Sequence, residues 1–142
     1  MILSQTAVYA LQATLCLAER EQGERMRVDD IAAELDVPRN YLSKILHTLA
    51  REGVLTSSRG PGGGFELTRP ASAVTLQEIV QRFDGFEESP CLLGRAKCSD
   101  RNPCAVHHRW RDAARAVQDF FASTSLADLT QSHALSKAPD PG

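Results

Sequence analysis

The stretch 28-VDDIAAELDVPRNYLSKILHTLARE-52, followed closely by 57-SSRGPGGGFELT-68, constrains the fold more than any other feature. Val28, Ile31, Ala32 and Leu35 recur at helical spacing, with Asp29 and Asp30 in the first turn, where the helix dipole favours acids. The break at Asp36-Val37-Pro38 is short, and Pro38 suits the first turn of the next helix. That helix runs to about Glu52. Leu42, Ile45, Leu46 and Leu49 form its inner face, and Arg39, Asn40, Ser43, Lys44, His47 and Arg51 are left outside. Two short helices, a tight turn and a polar second helix form a helix-turn-helix. Gly53 stops the helix. Residues 54–57 and 65–68 then flank the turn Gly60-Pro61-Gly62-Gly63-Gly64, which predicts a β-hairpin, a wing beside the helix-turn-helix.

The flanks are helical. Val8, Leu11, Leu15 and Ala18 fit one helix face over residues 5–19, with Ser4 as N-cap. Residues 20–27 are a charged connector. Thr75 and Glu78 form a capping box for a fourth helix whose Leu76, Ile79, Val80 and Phe83 share a face. Residues 84–103 read as a loop. Asn102 and Pro103 predict the start of a fifth helix, in which Val106, Trp110, Ala113, Val117 and Phe120 make a short coiled-coil-like seam suited to a dimer. A last helical turn is expected near Leu126–Thr130. The fold class is mainly α with a small β-hairpin wing: a winged helix-turn-helix over 1–83, a ligand-bearing loop over 84–103, a dimerisation helix and short C-terminal helix over 104–130, and a disordered tail over 131–142.

The net charge of −2 gives no global sign of a nucleic-acid binder. Locally the balance differs, because residues 37–60 carry Arg39, Lys44, Arg51 and Arg59 against the single acid Glu52. That is the electrostatic footprint of a DNA-facing surface. Asn40, Ser43 and His47 are placed to meet base edges in the major groove. Arg39 and Lys44 suit bases or phosphates, and Tyr41 a phosphate. Arg59 at the wing tip suits a narrow minor groove. The glycine run lacks the Gly-Lys-Ser/Thr ending of a phosphate loop. No apolar run approaches the roughly 18 residues of a membrane span, and the N-terminal stretch lacks a basic leader segment. The expectation is therefore a cytoplasmic protein with no membrane partner. No Ser/His/Asp set suggests an enzyme, and Asp84, Glu87 and Glu88 read as a solvated acidic loop rather than a catalytic pair.

Three of the four cysteines fall within 91-CLLGRAKCSDRNPCAVHH-108. In the cytoplasm such a cluster reads as metal-binding or redox-active rather than disulfide-bonded. Cys91, Cys98 and Cys104 are separated by six and then five residues, and His107 follows Cys104 after two. On a helix starting at Pro103, Cys104 and His107 share one side, with Cys104 at the helix N-terminus, where thiolate is favoured. His108 lies about 100° further round and is the weaker candidate. Three thiolates and an imidazole suit an iron–sulfur cluster or structural zinc. The wide spacing fits a bulkier cluster better than the tight knuckles of zinc sites, and bare redox thiols are a third reading. Cys16, in the apolar first helix, reads as a small buried hydrophobe.

With these residues in hand, the sequence resembles the winged-helix iron–sulfur regulators typified by IscR, with the nitric-oxide sensor NsrR as a relative. The wing SSRGPGGGFELTRP, the start MILSQTAVYALQATLCLA, the segment IAAELDVPRNYLSKILHTLAREGVL and the cysteine loop with His107 and Trp110 carry the resemblance over roughly residues 1–130. It implies a homodimer that crosses its fifth helices on a palindromic double-stranded operator. It implies a 2Fe–2S cluster on Cys91, Cys98, Cys104 and His107, whose state controls which operators are bound. It also implies minor-groove work for Arg59, Gly60, Pro61 and Gly62, and a place near the major groove for Asn40, Tyr41, Ser43 and Lys44. The first cysteine gap is one residue longer than the usual pattern, which leaves 4Fe–4S open. Val8 stands where NsrR-like members can use an aspartate ligand, which favours His107. Ser43 stands where IscR-like members can carry an acid that discriminates operator classes. Two other readings remain: a regulator using thiol oxidation or zinc, and a small iron–sulfur electron-transfer or cluster-transfer protein.

Overall fold

The structure is a computed structural model that describes residues 3–21, 23–84 and 91–135. Helix α1 (Gln5–Ala18) starts at Ser4, whose side chain accepts from the Ala7 amide, and buries Ala7, Ala10, Ala13, Cys16 and Leu17. The charged connector leads to α2 (Val28–Leu35), which ends at Asp36 in the left-handed conformation, φ 55°. An aspartate tolerates that conformation better than most residues, so a tight turn forms there without glycine. Helix α3 (Arg39–Arg51) follows, with Pro38 as its N-cap, and buries Leu42, Ile45, Leu46 and Leu49. Each such side chain removed from water contributes on the order of 2 kcal/mol. The helix-turn-helix is thus set by its inner faces.

Strands β1 (Leu55–Ser58) and β2 (Gly64–Leu67) pair antiparallel, with Leu55 opposite Leu67 and Ser58 opposite Gly64. The wing is also tied to the connector. Met26 and Phe65 exchange both backbone hydrogen bonds, at 3.0 and 2.8 Å. This close approach explains Gly64, on which a Cβ would lie 2.5 Å from the Met26 carbonyl oxygen; within the hairpin turn itself, a Cβ on Gly63 would lie 2.5 Å from the Ser58 carbonyl oxygen.

Helix α4 (Leu76–Val80) carries the expected capping box of Thr75 and Glu78, a device worth about 1 kcal/mol. It is shorter than the periodicity predicts, because Gln81–Phe83 leave the helix as a turn. Asp84 is not simply solvated: its carboxylate accepts from the Ser4 amide at 2.8 Å. The companion acids Glu87 and Glu88 lie outside the described residues.

Helix α5 (His107–Ser123) begins four residues after Pro103. The cause is local: Ser99 and Asn102 exchange backbone hydrogen bonds in a turn of their own, so the capping residue and proline close that turn instead of opening the helix. The predicted seam is also split. Phe121 is buried and Val117 packs on the core, whereas Phe120 is exposed on the outer side. A four-and-three pattern cannot by itself say which residues serve the domain's own core. Beyond α5 the chain turns back: Leu76 donates to Thr124, and Leu126 to Val74. This seats α6 (Leu126–Leu135), whose Leu126 is fully buried. The short terminal turn is therefore a ten-residue helix, and residues 131–135 of the expected disordered tail belong to it. Residues 136–142 lie outside the described residues.

Candidate metal centre and nucleic-acid interface

Cys91, Cys98 and Cys104 converge although they stand far apart in sequence. Their sulfur atoms all lie within 4.8 Å of one another. Cys91 Sγ is 3.7 Å from Cys104 Sγ, and Cys98 Sγ is 3.2 Å from His107 Nδ1. All three cysteines are free thiols, partly exposed. Cys104 is not on α5 as predicted. It meets His107 through a turn, the His107 amide donating to its carbonyl at 3.2 Å. The juxtaposition survives; the helical i, i+3 explanation for it does not.

Cys91, in the loop, is acidified. The backbone amide of Arg95 above all, with that of Leu93 and the Cys104 and Cys98 thiols, lowers it to about 7 against an upward push from burial. Cys98 is raised: the Cys104 amide pulls it down, but desolvation and hydrogen-bond and charge coupling to its cysteine neighbours outweigh that pull. Crowded thiols cannot all ionise easily unless a cation compensates them. Cys16 is buried, and its thiol is pushed up to about 12, mainly by desolvation and a hydrogen bond to Glu34. It is inert, as the sequence suggests.

Asp100 was missed by sequence reasoning. Its Oδ1 accepts from His107 Nε2 at 2.9 Å and also meets Arg111 Nη1. His107 first, then Arg111, hold its carboxyl below the ordinary range. Ligating histidines commonly give their other N–H to a carboxylate, so an acid near His107 was a usable signal. His108 brings a donor atom within 4.8 Å of those of Asp100 and His107. The Arg111 cation on the same carboxylate opposes a second metal there. Three soft sulfurs close to one another, with one imidazole nitrogen beside Cys98, fit a metal or iron–sulfur centre by their donor chemistry.

Arg39, Asn40, Lys44 and His47 are exposed on α3, with Ser43 half-buried between them. Arg39 pairs with Asp29. Both side chains are more than half exposed, and such pairs are worth at most about 1 kcal/mol, so a phosphate can take the guanidinium. Tyr41 is held by the Thr6 hydroxyl and by the edge of Tyr9. The His47 ring stands 5.4 Å from that of Phe65 on β2, so the outer face of α3 adjoins the wing. Arg59, Gly60, Pro61 and Gly62 are exposed at the wing tip. A further cation braces that tip: Arg27, at the α2 N-cap, donates to the Gly60 carbonyl at 3.0 Å. No local pattern announces this contact between residues 33 apart.

Comparison with known proteins places this architecture. Residues 3–132 match the Rrf2 model, described as an iron-dependent transcriptional regulator. The chain belongs to the Rrf2 family. Among Rrf2 relatives, an Aquifex aeolicus (strain VF5) protein described as a helix-turn-helix-type transcriptional regulator is 39% identical over 132 residues, 91% of each chain. The transcriptional regulator IscR of Yersinia pseudotuberculosis is 28% identical over 140 residues, 99% of this chain and 85% of its own. Among solved structures, the oxidised form of Staphylococcus aureus CymR superposes with a TM-score of 0.74 at 25% identity, covering 92% of this chain and 96% of its own. This Rrf2 protein is thus a DNA-binding transcriptional regulator of winged-helix fold. Its relatives are regulators, not enzymes, and the electron-carrier reading falls away. No helix among the described residues is long and apolar enough to cross a membrane.

Proposed function

We propose that this chain is a cytoplasmic, homodimeric repressor whose grip on a palindromic operator is set by an iron–sulfur centre, of the 2Fe–2S kind, on Cys91, Cys98, Cys104 and His107. The observation that carries the reading is the convergence of three sulfurs within 4.8 Å of one another, with His107 Nδ1 3.2 Å from Cys98. When bound, the centre supplies a redox- and oxygen-sensitive bond between the loop and the head of α5. The protein residues do the rest. Cys91 and Cys98 come from the loop, while Cys104 and His107 lie at the entrance to α5. The exposed Phe120 on α5 offers an apolar face for the second protomer. Ordering of residues 91–106 therefore bears on how α5 meets its partner, and so on the spacing of the two α3–wing heads. Arg59, Gly60, Pro61 and Gly62 serve the minor groove. Asn40, Tyr41, Ser43 and Lys44, with Arg39 and His47, serve the major groove and its phosphates.

The test is anaerobic purification with an absorption spectrum and with iron and sulfide counts. Visible bands with iron and sulfide in equal amounts, both lost in Cys98→Ala, support the reading. Colourless protein after reconstitution with iron and sulfide ends it.

A thiol switch is the second reading, favoured by the acidified Cys91 lying 3.7 Å from Cys104. It predicts metal-free protein in which peroxide joins Cys91 to Cys104, detectable by peptide mass mapping.

A further inference from the structure

We propose that Asp100 is the positioning residue of this centre: held by Arg111 one turn along α5, it fixes the His107 imidazole in the Nε2–H tautomer and leaves the Nδ1 lone pair facing Cys98. The inference rests on the ligand reading above.

The geometry is specific. His107 has one ring nitrogen 2.9 Å from Asp100 Oδ1 and the other 3.2 Å from Cys98 Sγ. A neutral imidazole has one N–H and one lone pair, and a carboxylate can only accept. The proton therefore belongs on Nε2, because the opposite tautomer sets a lone pair against a carboxylate oxygen. That leaves Nδ1 as the atom able to ligate, the same logic by which a histidine's outer hydrogen bond selects its metal-binding nitrogen.

The loop is shaped to present this carboxylate. Asn102 donates its amide to the Ser99 carbonyl at 3.1 Å and to the Ser99 hydroxyl at 3.2 Å, so Asp100 and Arg101 form the corner of the turn. The Asn102 side-chain amide reaches the Lys97 carbonyl at 3.4 Å, which joins the turn to the residue before Cys98. From that corner Asp100 spans to His107 and, through the same oxygen, to Arg111 one turn further along α5. His107 is the enclosed partner: its side chain is 16% exposed against 65% for Asp100. An isolated surface ion pair of Asp100 and Arg111 would contribute little. The shared oxygen gives it a directional task instead, since Arg111 holds the carboxylate where His107 needs it.

The test uses the full-length chain in two states. In reduced, metal-free protein with nitrogen-15-labelled histidine, long-range proton–nitrogen correlation near pH 8 reads the tautomer of His107 directly. Wild type is expected to show Nε2–H, Arg111→Gln a smaller share of it, and Asp100→Ala a mixture or Nδ1–H. In reconstituted protein, Asp100→Ala is expected to lose its visible bands in air at least about tenfold faster, the size usual for removing such a partner. Asp100→Glu should recover most of the lifetime. The exposed position of Asp100 lets the substitution leave the fold intact, and an unchanged melting temperature verifies this. If wild type binds iron and sulfide while Asp100→Ala keeps the wild-type tautomer and lifetime, Asp100 has no positioning role. If wild type binds no iron yet shows Nε2–H, the ligand reading itself fails, and the role of Asp100 toward a bound centre fails with it.

Discussion

Replacing Gly64 with alanine tests how the wing is seated. Gly64 has φ 137°, and an added Cβ would meet the Met26 carbonyl oxygen at 2.5 Å and its carbonyl carbon at 2.7 Å. Both are backbone atoms, so no flexible side chain can step aside. Alanine at such a φ costs about 1–3 kcal/mol. Relief of the clash also separates Met26 from Phe65, whose two hydrogen bonds contribute about 1 kcal/mol each. The sum is roughly 3–5 kcal/mol, a large share of the ~5–15 kcal/mol that holds a domain together. For a chain of this size that corresponds to a fall in Tm of roughly 10–20 °C. Gly62→Ala is the internal control: its φ is 76°, but nothing lies within 4 Å of the added Cβ. It meets only the left-handed backbone penalty of about 1 kcal/mol, a few degrees in Tm. Circular dichroism melts of both variants, with operator binding by fluorescence anisotropy, are the assays. Equal Tm losses in the two variants would show that the wing is not seated on the Met26 backbone as described.

Arg59→Ala is expected to weaken operator binding and to reduce the slope of log affinity against log salt by about 1; an unchanged slope at matched affinity removes Arg59 from the interface. In reduced, metal-free protein, iodoacetamide labelling of Cys91 should rise with pH through a midpoint near 7, because its thiol is lowered to about 7 and the thiolate is the nucleophile. A midpoint above 8, read by mass spectrometry of the Cys91 peptide, contradicts the acidifying role of the Arg95 and Leu93 amides. Phe120→Glu puts a charge on the exposed face of α5 and should yield monomers by light scattering while Tm stays within a few degrees; Phe121→Glu, on the buried side, should unfold the domain instead.

The helix-turn-helix and the wing were legible because their signals are local and redundant. Hydrophobic periodicity marks α2 and α3, and the glycine turn marks the hairpin, each within a few residues of the element it sets. The meeting of the three cysteines was legible for a different reason: thiols crowded into one polar loop suggest a shared site. What was hidden depends on partners distant in sequence. Asn102-Pro103 is a sound helix-start signal, yet the Ser99 turn captures it and α5 waits until His107. The α5 repeat could not say that Phe121 faces the home core while Phe120 faces out. The low polarity contrast of residues 126–135 concealed a helix whose Leu126 is fully buried and whose Leu129 packs against the core. Arg27 on the wing and Asp100 on His107 left no periodic trace, because each acts through one long side chain across a fold-dependent gap.

The central claim is that the state of the centre at Cys91, Cys98, Cys104 and His107 governs DNA affinity. The most direct measurement is operator affinity of one anaerobic preparation, reconstituted and then stripped of iron, at fixed salt and temperature. The account predicts that the two states differ by about 5–150-fold, a coupling of roughly 1–3 kcal/mol. It also predicts that Cys98→Ala is fixed at the stripped value whatever iron and sulfide are supplied. Affinities that agree within twofold between an iron-loaded and a stripped sample would contradict it, leaving a DNA-binding Rrf2 protein whose metal site does not speak to its wings.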